Sequence, residues 1–278
     1  MITAASLLCL ATLILEELYL HLGGYGRSLP VWAVPLEGPE GQEAHRRRQM
    51  LHYRIVKLLQ FAAFALLWLL AGGRAGTQLM TSSFGQITSQ MLMMQVLRVL
   101  GRQVAGNRAF LTVMACQQAL LAILVPFLAP AQRAPGQQVH SVNWLSGAAL
   151  AAALLAFAVC FSAVIVYLIR LKVRRDRVVN SALPPLASSE SLARRAFLAG
   201  IPFLLAAMTL MLIEPGGVQA CAARSAAFAL IPAPVAAILY LDRRRLHHPA
   251  ANLLAAAAYP LLLALVLAGQ TAMPDMRA

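Results

Sequence analysis

Apolar stretches of about 20 residues, each long enough to cross the hydrocarbon core of a bilayer as a helix, recur along this chain from end to end. They fall at 2–20, 55–72, 78–100, 109–128, 144–169, 196–213, 225–241 and 253–268. Between them lie polar segments rich in Arg, Pro and Gly. Of the 278 residues 60% are hydrophobic and only 12% are charged, whereas a soluble domain carries roughly a quarter charged residues. A soluble core cannot hide that much apolar surface. The pattern also excludes a disordered chain, a collagen-like repeat and a small disulfide scaffold. The expected fold is an all-α, polytopic membrane helix bundle of about eight transmembrane helices. It forms a single integral membrane domain over 1–278 with no extramembrane domain. The first stretch lacks a preceding basic region and a following Ala-x-Ala site, so it is expected to be a retained span.

The formal net charge is +13. In a soluble protein such an excess points to nucleic acid; here its distribution along the chain points elsewhere. With eight spans, loops 21–57, 98–108, 170–195 and 242–249 lie on one side. All of the 23 Lys and Arg residues except Arg74, Arg133, Arg224 and Arg277 then fall on that side. Basic residues collect in cytoplasmic loops of membrane proteins. The expected topology is therefore multi-pass in a bacterial inner membrane, with both termini non-cytoplasmic and no nucleic-acid partner. If segment 78–100 lay flat on the surface, the parity of every later loop would flip and the asymmetry would largely vanish.

That segment is the least apolar of the eight. Gln78, Ser82, Ser83, Gln86, Ser89 and Gln90 fall within one arc of about 140° at 100° per residue, opposite Met80, Phe84, Ile87, Met91 and Met94. Amides and hydroxyls in hydrocarbon must face other helices or a wet cavity. One expectation is a polar path for a substrate or ion along Gln78, Ser82, Gln86, Ser89 and Gln90. Another is ordinary interhelical hydrogen bonding; a third is an interfacial amphipathic helix, which Arg98 and Arg102 would suit. Candidate buried charges are Glu16, Glu17 and Arg98. Adjacent carboxylates on a helix point about 100° apart, so at most one is expected to face the interior. The pair is expected near the headgroups; a submerged member would be a proton carrier or the ion-pair partner of an Arg. Lys57 is expected to snorkel to the near interface, and Glu214 to be a solvated loop carboxylate.

Sequence signals for chemistry are sparse. The six histidines form no i, i+4 pair within a span, which gives haem nothing to bind. The four cysteines make no Cys-x-x-Cys pair and read as small buried hydrophobes. Acidic clusters for Mg²⁺ and a Walker A loop are absent from the sequence. No catalytic, cofactor-binding or metal residue is expected, and an enzyme is the least favoured class. Glu16-Glu17 does not extend to the Glu-Glu-x-x-x-Arg box of intramembrane prenyl-type proteases, since His21 stands in the last position. Leu97-Arg98-Val99-Leu100-Gly101-Arg102-Gln103-Val104-Ala105-Gly106 resembles a Leu-Arg-x-x-Gly-Asn-x-x-Ala-Gly stretch of rotary ATP synthase subunit a. Leu154-Leu155-Ala156-Phe157 resembles a Leu-Gln-Ala-Phe stretch of the same family. Arg102 and Leu155 depart from that pattern, about three spans are left over, and the family's roles are not carried onto this chain.

Two functions are expected. The first is a transport or ion-translocation subunit working with partners. Its support is the polar stripe and the prolines inside the last three spans (Pro202, Pro232, Pro234 and Pro260), which free backbone carbonyls. Other membrane or cytoplasmic subunits would dock on basic loops 21–54 and 170–195. The alternative is a non-catalytic scaffold or accessory subunit, which Ala-rich stretches 148–156 and 250–258 would suit by letting helices approach closely.

Overall fold

The computed structural model describes residues 1–24, 39–75, 83–105, 108–128, 144–173, 183–213 and 249–268. Among these the chain is wholly helical, without strands. Its seven helices are α1 (Ile2–Gly24), α2 (Pro39–Ala75), α3 (Ser83–Ala105), α4 (Arg108–Leu128), α5 (Trp144–Lys172), α6 (Leu186–Ile213) and α7 (Pro249–Ala268). Four carry stretches long and apolar enough to cross a bilayer: Arg54–Gly72, Ala109–Leu128, Leu145–Lys172 and Leu186–Leu210. This is a membrane protein. The seventh expected span, 225–241, lies outside the described residues.

Helix α2 begins well before its apolar stretch, opening at Pro39, where a fixed φ and a missing N–H suit the first helical position. Helix α6 opens after Pro184-Pro185, whose second carbonyl accepts from the amides of Ser188 and Ser189 at 3.0 and 3.2 Å. Arg170 at the end of α5 donates to the carbonyls of Leu183 and Pro184, tying the connection back. Pro126, Pro202 and Pro260 sit inside α4, α6 and α7.

Pairs of contacts fix how neighbours run. On α1 and α4, Ser6 donates to the Ala122 carbonyl while Thr112 donates to Glu17, so the two are antiparallel. On α2 and α3, Trp68 meets Ser89 and Gln60 meets Gln95, again antiparallel. In the second group, Phe157 of α5 stacks obliquely on Phe197 of α6 at 5.5 Å between centroids. Arg170 meets residues 183–184 at the other end. Phe161 packs on Tyr259 of α7 at 5.6 Å, and Tyr167 is hydrogen-bonded to Asn252. Both α6 and α7 are thus antiparallel to α5 and parallel to one another.

Helix α5 is the axis of the second group. Leu150, Ala151, Ala153, Leu154, Phe157, Ala158, Cys160, Ala163, Val164 and Val166 are all buried, because alanines along it let other helices approach closely. Gly200 marks the tightest approach: a Cβ there would lie 3.0 Å from Phe157 Cε1 and 3.2 Å from Ala156 Cβ. Helix α3 is central to the first group. Every residue from Phe84 to Met91 is buried, so the methionine face and the polar face are both covered, by α2, α4 and α5.

Candidate functional site: a buried charge and amide network

Three short patterns converge where α1 and α3 near their C-terminal ends and the apolar parts of α2 and α4 begin. Helix α1 supplies Glu16 and Glu17 on consecutive positions. Lys57 and Gln60 on α2, and Gln95 and Arg98 on α3, are each three residues apart and so share a helix face. Helix α4 adds Thr112 and Gln118.

Arg98 is the hub, with its side chain only 1% exposed. One terminal nitrogen, Nη2, donates to Glu16 Oε2 at 2.9 Å and lies 3.6 Å from Glu17 Oε1. The other, Nη1, donates to Gln118 Oε1 at 2.9 Å and to Gln95 Oε1 at 3.4 Å. Gln118 in turn donates to the Met91 carbonyl at 2.9 Å, which locks the amide that holds the guanidinium. Gln95 donates to Gln60 Oε1 at 2.5 Å. Lys57 closes the group: its ammonium ion-pairs with Glu16 Oε1 and donates to Gln60 Oε1 at 3.4 Å.

The four charges sum to zero. That balance is what allows them inside: an isolated ion loses several kcal/mol of hydration on burial, regained only through close pairing and satisfied hydrogen bonds. Burial is uneven, however. Glu16 is 2% exposed and Lys57 13%, while Glu17 is 24% exposed. Arg98 Nε is buried without a hydrogen-bond partner.

Glu16 turns inward onto Arg98 and Lys57, while Glu17, about 100° away, turns toward Thr112 of α4 at 3.3 Å. Of the three candidate buried charges, Glu16 and Arg98 are enclosed and Glu17 is partly exposed. Lys57 meets its counter-charge in Glu16. Helical spacing puts each side chain on a face, whereas the charge it meets depends on which helix stands beside that face.

The polar stripe of α3 is distributed differently. Gln78 and Ser82 lie outside the described residues. Gln86, Ser89 and Gln90 are buried. Ser89 accepts from Trp68 Nε1 at 2.9 Å, and Gln90 donates to the Tyr259 hydroxyl at 2.9 Å while its Oε1 has no hydrogen-bond partner. Gln90 ties α3 to α7. It lies two turns from Arg98, about 12 Å at 1.5 Å per residue.

Lys57, Gln60, Gln95, Gln118 and Tyr259 were not singled out by the sequence reading as members of a site. A signal did exist, since Gln60, Gln117 and Gln118 interrupt otherwise apolar stretches. Glutamine is costly there unless bonded.

Among the described residues no group of three or more His, Cys, Asp and Glu side chains could hold a metal ion. Comparison with protein-family models, with curated proteins and with solved structures finds no significant match.

Proposed function

We propose that this chain is a permease-type subunit of a bacterial inner-membrane assembly, with the Glu16–Lys57–Arg98 group as its charged station for ion translocation. One observation carries this reading. Glu16 and Arg98, 82 residues apart in sequence, meet at 2.9 Å inside an apolar bundle with almost no exposure. Well-packed apolar residues would hold such a bundle as well or better, so buried ionisable groups in a membrane domain point to ion pathways. The station is formed from α1, α2 and α3, with α4 orienting Arg98.

The topology that goes with this reading is eight spans with both termini outside the cytoplasm. Its support is the parallel course of α6 and α7. Helix α6 ends beside the start of α5, and α7 begins beside its end, about 40 Å away for a 29-residue helix. Residues 214–248 connect α6 to α7 in the sequence, and this proposal assigns the extra crossing to their apolar stretch 225–241. Removing Arg98 and Lys57 from the loop tally still leaves 17 basic residues on one side against 4 on the other. No separate extramembrane domain is part of this proposal, and partner subunits would dock on loops 21–54 and 170–195.

The test is ion flux in proteoliposomes holding the full chain, under imposed H⁺, Na⁺ and K⁺ gradients. Wild type should conduct at least one of these, and Glu16→Gln and Arg98→Gln should each lower that flux, per folded molecule, at least tenfold. Undiminished flux in both variants would remove the station from the path. A second reading, the scaffold, is favoured by the bonds of Ser89 to Trp68 and Gln90 to Tyr259. Gln86→Leu with Gln90→Leu separates the two: flux falls if a path runs along α3, whereas only stability and partner co-purification change for a scaffold.

A further inference from the structure

Glu16 has two cationic partners that are held very differently. Arg98 is fixed by four side chains and is completely enclosed. Lys57 is more exposed, at 13%. It lies at the start of the apolar stretch Arg54–Gly72, on a flexible four-carbon stem that reaches the interface readily. The oxygens that meet its ammonium include Glu16 Oε1 and Gln60 Oε1. An ammonium is close in charge and size to a partly dehydrated alkali ion, and oxygen ligands are what such hard cations take.

We infer that Lys57 is the resident cation of a monovalent-cation site, and that a Na⁺-like or K⁺-like ion exchanges with it on Glu16 Oε1 and Gln60 Oε1. Charge selects the valence. With Lys57 swung out to the interface, Glu16, Glu17 and Arg98 leave one net negative charge, which one monovalent ion cancels. A divalent ion would leave the interior positive, and an anion would meet a site already holding a surplus carboxylate. Arg98 keeps the carboxylate in place during the exchange, so the site is preformed and Lys57 acts as its built-in competitor. The inference rests on the translocation reading for its purpose, but its tests measure occupancy and not flux.

Lys57 and Lys172 are the only lysines in the chain, which provides an assay on the unaltered protein. An amine-reactive reagent is applied to the full chain in nanodiscs, and modification of each lysine is followed by mass spectrometry. Raising Na⁺ or Rb⁺ should speed modification of Lys57 at least threefold over N-methylglucamine at equal ionic strength, with exposed Lys172 unchanged. Equal rates in all three salts would overturn the inference. Binding of ²²Na⁺ or ⁸⁶Rb⁺ supplies the second measurement. Lys57→Met, or Lys57→Gln if the first does not fold, should bind one equivalent at least tenfold more tightly than wild type, and adding Glu16→Gln should abolish it. Binding no tighter than wild type, or binding of Ca²⁺ in preference, would also overturn it. Occupancy without flux would sink the translocation reading alone; flux of protons without occupancy would sink this inference alone.

Discussion

Helices α1–α4 meet over charges and amides, whereas α5–α7 meet over rings and small side chains. In lipid the tails are as apolar as leucine, so burial of apolar surface does little to hold helices together. The second group answers with close packing: Phe157 lies against Phe197 and the bare Cα of Gly200, and Phe161 against Tyr259. The first group answers with electrostatics, which strengthen as the surroundings dry. Contact quality falls off smoothly as a packed interface loosens. A buried charge group fails abruptly, because removing one member leaves its partner unpaired.

The largest expected effect follows from that difference. Arg98→Met leaves Glu16 and Glu17 with Lys57 alone and should cost about 3–5 kcal/mol, read as a loss of unfolding free energy in bilayers or as failure to purify folded. A loss under about 1 kcal/mol would show that the group is hydrated and not dry. Next comes Gly200→Leu, which forces a branched side chain into the Phe157 ring and should cost about 1–3 kcal/mol by overpacking. The sharper comparison is the double change Glu16→Leu with Arg98→Met. If the network is mainly a functional device, removing both charges should recover a good part of the stability lost in Arg98→Met, since no unpaired ion of that couple remains. An additive loss would instead make the couple a structural fastener. The smallest effect is Gln90→Leu, which removes the bond to Tyr259 and should cost about 0.6 kcal/mol, the usual worth of an interhelical hydrogen bond in a membrane. A drop several times larger would tie the two groups through that one contact.

Legibility from sequence differed between the same two groups. In the second, α5 is readable throughout, because an alanine-rich apolar stretch of 29 residues leaves few alternatives to a central span. What could not be read there is Gly200, whose significance lies in the ring opposite it. In the first group, α3 shows its polar arc plainly, and Glu16, Glu17 and Arg98 stand out as charges in or near apolar stretches. Their mutual partnership does not. Glu16 and Arg98 are separated by one helix and two connections, and helical periodicity places each on a face without saying which helix that face will meet. Spacing alone leaves the partner of Glu16 open, because the guanidinium of Arg98 and the ammonium of Lys57 that meet it stand on other helices.

By itself, then, the order of apolar and basic stretches determined that this chain is a helical membrane protein, because local hydropathy decides partition into a bilayer segment by segment. It also determined which polar residues would need partners there. Only the tertiary structure decided who those partners are, since pairing Glu16 with Arg98 and Lys57, or Gln90 with Tyr259, depends on the packing of helices distant in sequence.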